Sequence, residues 1–217
     1  MVEAVILDLI ERSASRNDGS HNNFDPFNGD FDAIISALGS VDETSREEAV
    51  LALSGLDDER VIYPLISALK DDSAYIRRSA ADALGKSNSL KAVKPLIEAL
   101  TDDDRYVRES ASEGLGHIGK ISMPDLIKGL SHPDWRVRMG IVIAFRVSPE
   151  LPDMDPIIRL HSDDSIYVRR EVVKTLGRIG DRTIFPYLVE ATKDPDPGVR
   201  LRAVRAVARM GTIPEVT

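Results

Sequence analysis

Cysteine is absent from all 217 residues, which removes disulfides, thiolate zinc sites and cysteine nucleophiles from consideration. No apolar run approaches the ~20 residues that a helix needs to cross a bilayer, so no membrane partner is expected. Of the four histidines, His21, His117, His132 and His161, none is followed by glutamate. Gly-x-x-x-x-Gly-Lys-Ser/Thr loops, Gly-x-Ser-x-Gly elbows and His-Glu-x-x-His helices do not occur. No serine or aspartate sits in a local arrangement that identifies a nucleophile and its base. No catalytic residue, cofactor or metal set is assigned on these grounds. The nearest thing to a metal set is His132 and His161 near successive repeat boundaries, with Asp102, Asp163 and Asp164 in related columns. Basic charge is also in deficit: 28 lysines and arginines stand against 36 acids, a net charge of −8, which disfavours non-specific attraction to nucleic acid or anionic membrane. The opening Met1-Val2-Glu3-Ala4-Val5-Ile6-Leu7-Asp8 carries acids instead of a basic leader, and the chain reads as cytoplasmic.

What the sequence does hold is a repeat. The stretch Asp103-Asp104-Arg105-Tyr106-Val107-Arg108 has close relatives at a fixed interval, and taking its last arginine as column zero aligns Arg46, Arg77, Arg108, Arg138, Arg169 and Arg200, spaced 31, 31, 30, 31 and 31 residues apart. A period of that length means that each unit leaves an apolar face that only its neighbour covers. Each unit has two helical halves. The first reads Ala33 to Leu38, Pro64 to Leu69 and Pro95 to Leu100, with weaker versions at Asp125 to Leu130, Pro156 to His161 and Tyr187 to Thr192; proline there suits a first helical turn. The second half opens in an acidic turn, such as Asp71-Asp72-Ser73 or Asp194-Pro195-Asp196, whose carboxylates meet the positive end of a helix of about four turns. Its apolar columns are −1 (Ile76, Val107, Val137, Val168, Val199), +3 (Ala49, Ala80, Ala111, Ile141, Val172, Ala203) and +7 (Leu53, Leu84, Leu115, Phe145, Leu176, Val207), all on one helical face. Gly85, Gly116 and Gly177 at +8, with Gly119 and Gly180 just beyond, are expected to end the helices.

Outside the repeat, residues 2–12 fit a short amphipathic helix and residues 13–30 a polar, turn-prone linker. The helix either caps the solenoid or docks on another molecule. Residues 31–217 form one solenoid of six units.

Two antiparallel helices per ~31 residues, with Asp-x-x-Val-Arg opening the second, resemble the short HEAT-like repeats first named from phycobilisome bilin lyases, over residues 31 to 211. The resemblance implies an all-α, right-handed α-α superhelix of about six helix pairs plus an N-terminal helix. It says little about activity, because this repeat class includes bilin lyases, di-iron hydroxylases and scaffolds that bind other proteins. The His-Glu pairs of the di-iron members are missing here. By resemblance, and by their place beside helix starts, Arg46, Arg77, Arg108, Arg138, Arg169 and Arg200 form a structural ladder with turn aspartates of adjacent units, a role that suits arginine's planar fork.

In HEAT-like solenoids the second helices usually line the concave surface. Here that face carries Tyr75, Tyr106 and Tyr167 at column −2, with the only tryptophan, Trp135, beside it. The rings either form a recognition strip or pack on neighbouring turns with their polar tips in water. In the fourth unit Trp135, Met139 and Ile143 stand where other units carry charge, either as a hot spot or as local repacking against the irregular 148–156 connection. Asp82, Glu109 and Glu113 make one half of the face acidic, whereas Arg170, Lys174, Arg178, Arg202, Arg205 and Arg209 make the other basic, an arrangement that would orient a partner.

The function expected from these features is a non-enzymatic scaffold that binds a protein or peptide, with an acidic segment meeting the basic half. Two alternatives stand beside it. One, implied by the resemblance alone, is a bilin lyase or other chromophore-handling factor acting on phycobiliproteins. The other is nucleic-acid binding through the basic C-terminal units, for which interleaved aromatics are lacking. Homo-oligomers could form through the solenoid ends.

Overall fold

The computed structural model describes residues 28–56, 58–149 and 153–211. The helix expected at 2–12 and the linker residues 13–27 lie outside them. All regular structure among the described residues is helical. In chain order the α-helices are α1 (Asn28–Ala37), α2 (Glu43–Ser54), α3 (Ile62–Ala68), α4 (Ala74–Lys86), α5 (Leu90–Ala99), α6 (Arg105–Ile118), α7 (Met123–Gly129), α8 (Trp135–Val147), α9 (Asp155–Ile158), α10 (Ile166–Ile179), α11 (Phe185–Ala191) and α12 (Pro197–Gly211), and short 3-10 turns precede α3, α7 and α11 and follow α9. The first helix therefore begins at Asn28, inside the stretch read as linker.

Odd-numbered helices are the first halves of the repeat and even-numbered helices the second. The chain divides into two compact units, one ending at Gly114 and one beginning at Leu115, so that α6 carries the division. In the first unit α2 packs on α4; in the second α8 packs on α10 and α10 on α12. The cores are the columns read from the sequence. Every residue named at −1 and +3 is at most 1% exposed, and so are Leu53, Leu84, Leu115, Phe145 and Leu176 at +7. Val207 is half-buried. Each fully buried Leu, Ile or Val contributes roughly 1.5–3 kcal/mol, and a repeating stripe of them is what makes one helix pair depend on the next.

Two local expectations change. Gly85, Gly116 and Gly177 do not end their helices; each lies inside one, and α4, α6 and α10 run on to Lys86, Ile118 and Ile179. Their task is close approach: a Cβ on Gly85 would lie 2.3 Å from Gly114 Cα, one on Gly116 2.7 Å from the Ala144 carbonyl oxygen, and one on Gly177 2.6 Å from Ala206 Cβ. The chain reversal falls to Gly119 and Gly180, whose φ of 69° and 71° is the left-handed region that a Cβ disfavours. Proline placement varies too. Pro124, Pro156 and Pro186 occupy the first turn of α7, α9 and α11, but Pro95 is interior, because Ser89 caps α5 through the Lys91 amide and starts that helix earlier.

The acidic turns act as expected where the carboxylate points back at the helix. Asp42 accepts from the Ser45 amide at 2.8 Å, Asp134 from Arg136 at 2.8 Å, and Asp104 from Tyr106 and Val107 at 2.8 and 3.1 Å. Ser73 and Ser165 sit at N-cap positions without a side-chain capping bond.

Candidate partner-binding face

Four of the six column arginines have every side of the guanidinium engaged. Arg46, Arg77, Arg138 and Arg169 each make a two-pronged pair with an aspartate 25 residues on, Nε and Nη2 donating to Asp71 (2.7 and 3.0 Å), Asp102 (2.8 and 2.9 Å), Asp163 (2.7 and 2.8 Å) and Asp194 (2.8 and 3.1 Å). In all six arginines Nη1 donates to two backbone carbonyls of the preceding turn, as in Arg77 to Asp71 and Asp72 or Arg108 to Asp102 and Asp103. Each ladder aspartate also accepts the amide two residues ahead, at 2.8 Å. One carboxylate thus closes its own turn and clamps the preceding unit, which is why the position is aspartate. Arg46's bonds lower the Asp71 carboxyl; at Asp102, Asp163 and Asp194 burial pushes upward, but arginine and amide donors outweigh it and hold the group below the ordinary range. At the corresponding place before Arg138 stands His132, whose Nδ1 accepts from the Asp134 amide.

In the first unit the exposed face of α4 and α6 carries Tyr75 and Tyr106, 49% and 57% exposed. The Arg78 guanidinium lies over the Tyr106 ring, 5.6 Å from its centre. Glu109 and Glu113 are exposed beside Tyr106, and Asp82 is half-buried. This is a wet, acidic surface with two amphipathic rings.

The second unit differs. Trp135, at the start of α8, stacks on Tyr167 of α10 with ring centres 4.6 Å apart and planes 24° from parallel. Trp135, Met139 and Ile143 are half-buried instead of fully exposed, whereas Tyr167 remains 49% exposed. Trp135 is therefore part of a two-ring platform that offers one face to solvent. Beyond it on α10 and α12 come Lys174, Arg178, Arg202, Arg205 and Arg209, all exposed. Lys174, Arg202, Arg205, Ala208 and Arg209 line a shallow hollow of about 480 Å3.

One expected member drops out of this basic set. Arg170 makes a two-pronged pair with Asp196 at 2.8 and 2.7 Å, and its guanidinium lies where a Cβ on Gly198 would fall, 2.9 Å from Nε. Arg170's bonds lower the Asp196 carboxyl to about 2, and the same carboxylate caps α12 through the Val199 amide. The residue joins two helices and is not a free cation. A second such link, Arg146 to Glu171 at 2.9 Å, was not read from the sequence. Its signal was there: Arg146 occupies the column that Gly85, Gly116 and Gly177 hold in three other units, and Glu171 follows it at the ladder's own spacing of 25.

His161 Nδ1 lies 3.0 Å from the Ile158 carbonyl, and its ring meets Tyr187 edge-on. Among the described residues no group of three or more histidine and acidic side chains is placed to hold a metal ion. No helix among them is long and apolar enough to cross a membrane.

The profile of HEAT repeats matches residues 31–116, 93–146 and 155–217. The chain belongs to the HEAT repeat family. No curated protein matches it significantly. Among solved structures, this HEAT protein is similar to the archaeal HEAT-like repeats protein from Thermococcus onnurineus NA1, with 18% identity, a TM-score of 0.56, and 97% of this chain and 95% of that one covered. It is also similar to YibA of E. coli, with 17% identity, a TM-score of 0.51, and coverage of 88% and 77%. The complex of CpcE and CpcF of phycocyanin lyase from Nostoc sp. PCC7120 aligns at 21% identity with a TM-score of 0.41, covering 88% of this chain and all of that one (100%).

Proposed function

We propose that this HEAT repeat chain is a binding scaffold whose second unit takes an acidic, partly apolar segment of a partner protein on the solvent face of α8, α10 and α12. The observation that carries the reading is the Trp135–Tyr167 platform set beside the exposed cations Lys174, Arg178, Arg202, Arg205 and Arg209. A rigid aromatic pair supplies contact area at little conformational cost, and Trp and Tyr dominate the energetics of such contacts. The neighbouring charges draw in a segment of opposite sign and set its direction. Arg170 holds α10 to α12 and keeps the platform and the hollow in fixed relation.

Trp135 is the chain's only tryptophan, so its fluorescence reports directly on the platform. A fluorescein-labelled peptide alternating glutamate with leucine is titrated against the chain, beside the same peptide with lysine for glutamate. The glutamate peptide binds, quenches Trp135 and weakens as salt rises; Trp135→Ala costs ~2 kcal/mol or more, about 30-fold in affinity. Arg202→Glu with Arg205→Glu abolishes binding. Equal binding of both peptides, or an unfolded Trp135→Ala chain with unchanged affinity per folded molecule, removes the proposal.

A further inference from the structure

In the first unit one cation shows what the exposed face accepts. Arg78, at column +1 of α4, has no side-chain hydrogen bond or ion pair among the described residues; its guanidinium lies over the Tyr106 ring, at column −2 of α6, 5.6 Å from the centre. The second unit keeps the same relation. Arg170, at +1 of α10, lies against Gly198, at −2 of α12, with Nε 2.9 Å from where a Cβ would fall. Column +1 of one second helix thus meets column −2 of the next. The step from α2 to α4 has the register of the step from α4 to α6, because Arg46–Asp71 and Arg77–Asp102 clamp both in the same way. That register sets Glu47, at +1 of α2, beside Tyr75, at −2 of α4.

The earlier step therefore brings a carboxylate to its tyrosine where the later step brings a guanidinium. Tyr75 is 49% exposed, and no cation lies over its ring among the described residues. Glu47 and Glu48 are half-buried, and neither carboxylate has a hydrogen bond or ion pair among the described residues. An open ring beside such a carboxylate attracts a guanidinium in two ways: the ring quadrupole draws the cation, and the carboxylate accepts its planar fork. Leu51, one turn beyond Glu47, is 46% exposed and adds contact for an aliphatic stem. Lysine, a point charge, would meet the carboxylate without stacking on the ring.

We infer that the exposed face of α2, α4 and α6 is a docking surface for a basic segment of another protein, with one arginine of that segment stacked on Tyr75 against Glu47. Charge selects this occupant. With Asp82, Glu109 and Glu113, the face holds five carboxylates that have no hydrogen bond or ion pair among the described residues, against three bases, Arg78, Lys86 and Arg105. Neighbouring packed helices lie about 8–10 Å apart, the span of roughly three residues of extended chain. A second basic residue three positions along the segment therefore meets Glu109 and Glu113 on α6. The surface shares no residue with the Trp135–Tyr167 platform, so either proposal can fail alone.

The test titrates the full chain, by fluorescence anisotropy, against a fluorescein-labelled peptide Gly-Ser-Arg-Ser-Gly-Arg-Ser-Gly and the same peptide with citrulline for both arginines. The arginine peptide binds and weakens as salt rises, whereas the citrulline peptide, alike in shape but uncharged, binds about tenfold or more weakly. Tyr75→Ala lowers affinity for the arginine peptide about fivefold, and Glu47→Arg, which supplies the guanidinium from the chain itself as Arg78 does at Tyr106, about tenfold. Arg78→Glu frees the Tyr106 ring and raises affinity about threefold or more. Each variant keeps the wild-type melting temperature and its affinity for the glutamate peptide of the preceding section. Equal binding of the two peptides, no binding of either, or binding indifferent to both Glu47→Arg and Arg78→Glu overturns the inference. Binding that appears only with Arg12→Gln and Arg16→Gln makes the chain's own N-terminal segment the occupant. Self-association of the wild type that Glu47→Arg abolishes makes it a second copy, and either result overturns the assignment to another protein.

Discussion

Removing the carboxylate of Asp163 tests the ladder most directly. Its oxygens receive Arg138 Nε and Nη2 at 2.7 and 2.8 Å and the Ser165 amide at 2.8 Å; the two side chains are only 10% and 5% exposed. Breaking a well-buried pair by deleting one partner costs about 3–5 kcal/mol. Asp164, which also contacts Arg138 Nη2, and the His132 and Pro133 carbonyls still serve the stranded guanidinium, so Asp163→Ala is expected near the lower end, ~3 kcal/mol. For a chain of this size that corresponds to a fall in melting temperature of about 6–12 °C, read by calorimetry. Asp164→Ala, whose side chain is 88% exposed, should cost under ~0.5 kcal/mol.

The same substitution has a pH signature. The folded Asp163 carboxyl lies below its unfolded value because the Arg138 and Ser165 donors outweigh burial. Its contribution is therefore complete above the unfolded value, roughly pH 4, and is lost as pH falls from there through the depressed folded value. Urea unfolding of the wild type should give a stability that is level from pH 5 to 7 and drops below about pH 4, with a shallower drop in Asp163→Ala. A shift in melting temperature under about 2 °C with parallel pH profiles would mean that the pair is worth no more than an exposed ion pair, and the ladder would not be a stabilising device.

Gly85→Ala should destabilise the first unit even though alanine favours helix by about 1 kcal/mol. Its Cβ would lie 2.3 Å from Gly114 Cα, backbone that cannot give way cheaply, and a net loss of about 2–3 kcal/mol in chemical denaturation is expected. Thr175→Val should do the opposite, since Thr175 Oγ1 is fully buried and has no hydrogen-bond partner among the described residues. Replacing it with a methyl group of like shape should raise stability by about 1 kcal/mol, visible as a higher urea midpoint at unchanged slope.

The repeat, its two helical halves and its buried columns were legible in the sequence because a stacked array imposes one pattern again and again. Six copies average out local noise, so Ile76, Val107, Val137, Val168 and Val199 declare a core column together where any one would be ambiguous. The column of six arginines was legible by the same logic, whereas its pairing with turn aspartates was expected from resemblance and from the arginines' place beside helix starts, and the packed structure gives such a partner to Arg46, Arg77, Arg138 and Arg169. Interactions that occur once carry no such redundancy. Arg170 looks like the other cations of its face, and only the packed structure shows Asp196 holding it against Gly198. The +8 glycines carry the composition of helix ends, and a chain read one helix at a time cannot show that the next helix passes within contact of them. Trp135 was visible as an outlier, but its burial and its stack on Tyr167 depend on where α10 lies beside α8. Periodicity and local chemistry, which act along the chain, were thus settled by the sequence itself. Which side chains remain free to meet a partner was decided by helix against helix, because exposure belongs to the packed surface and not to any residue alone.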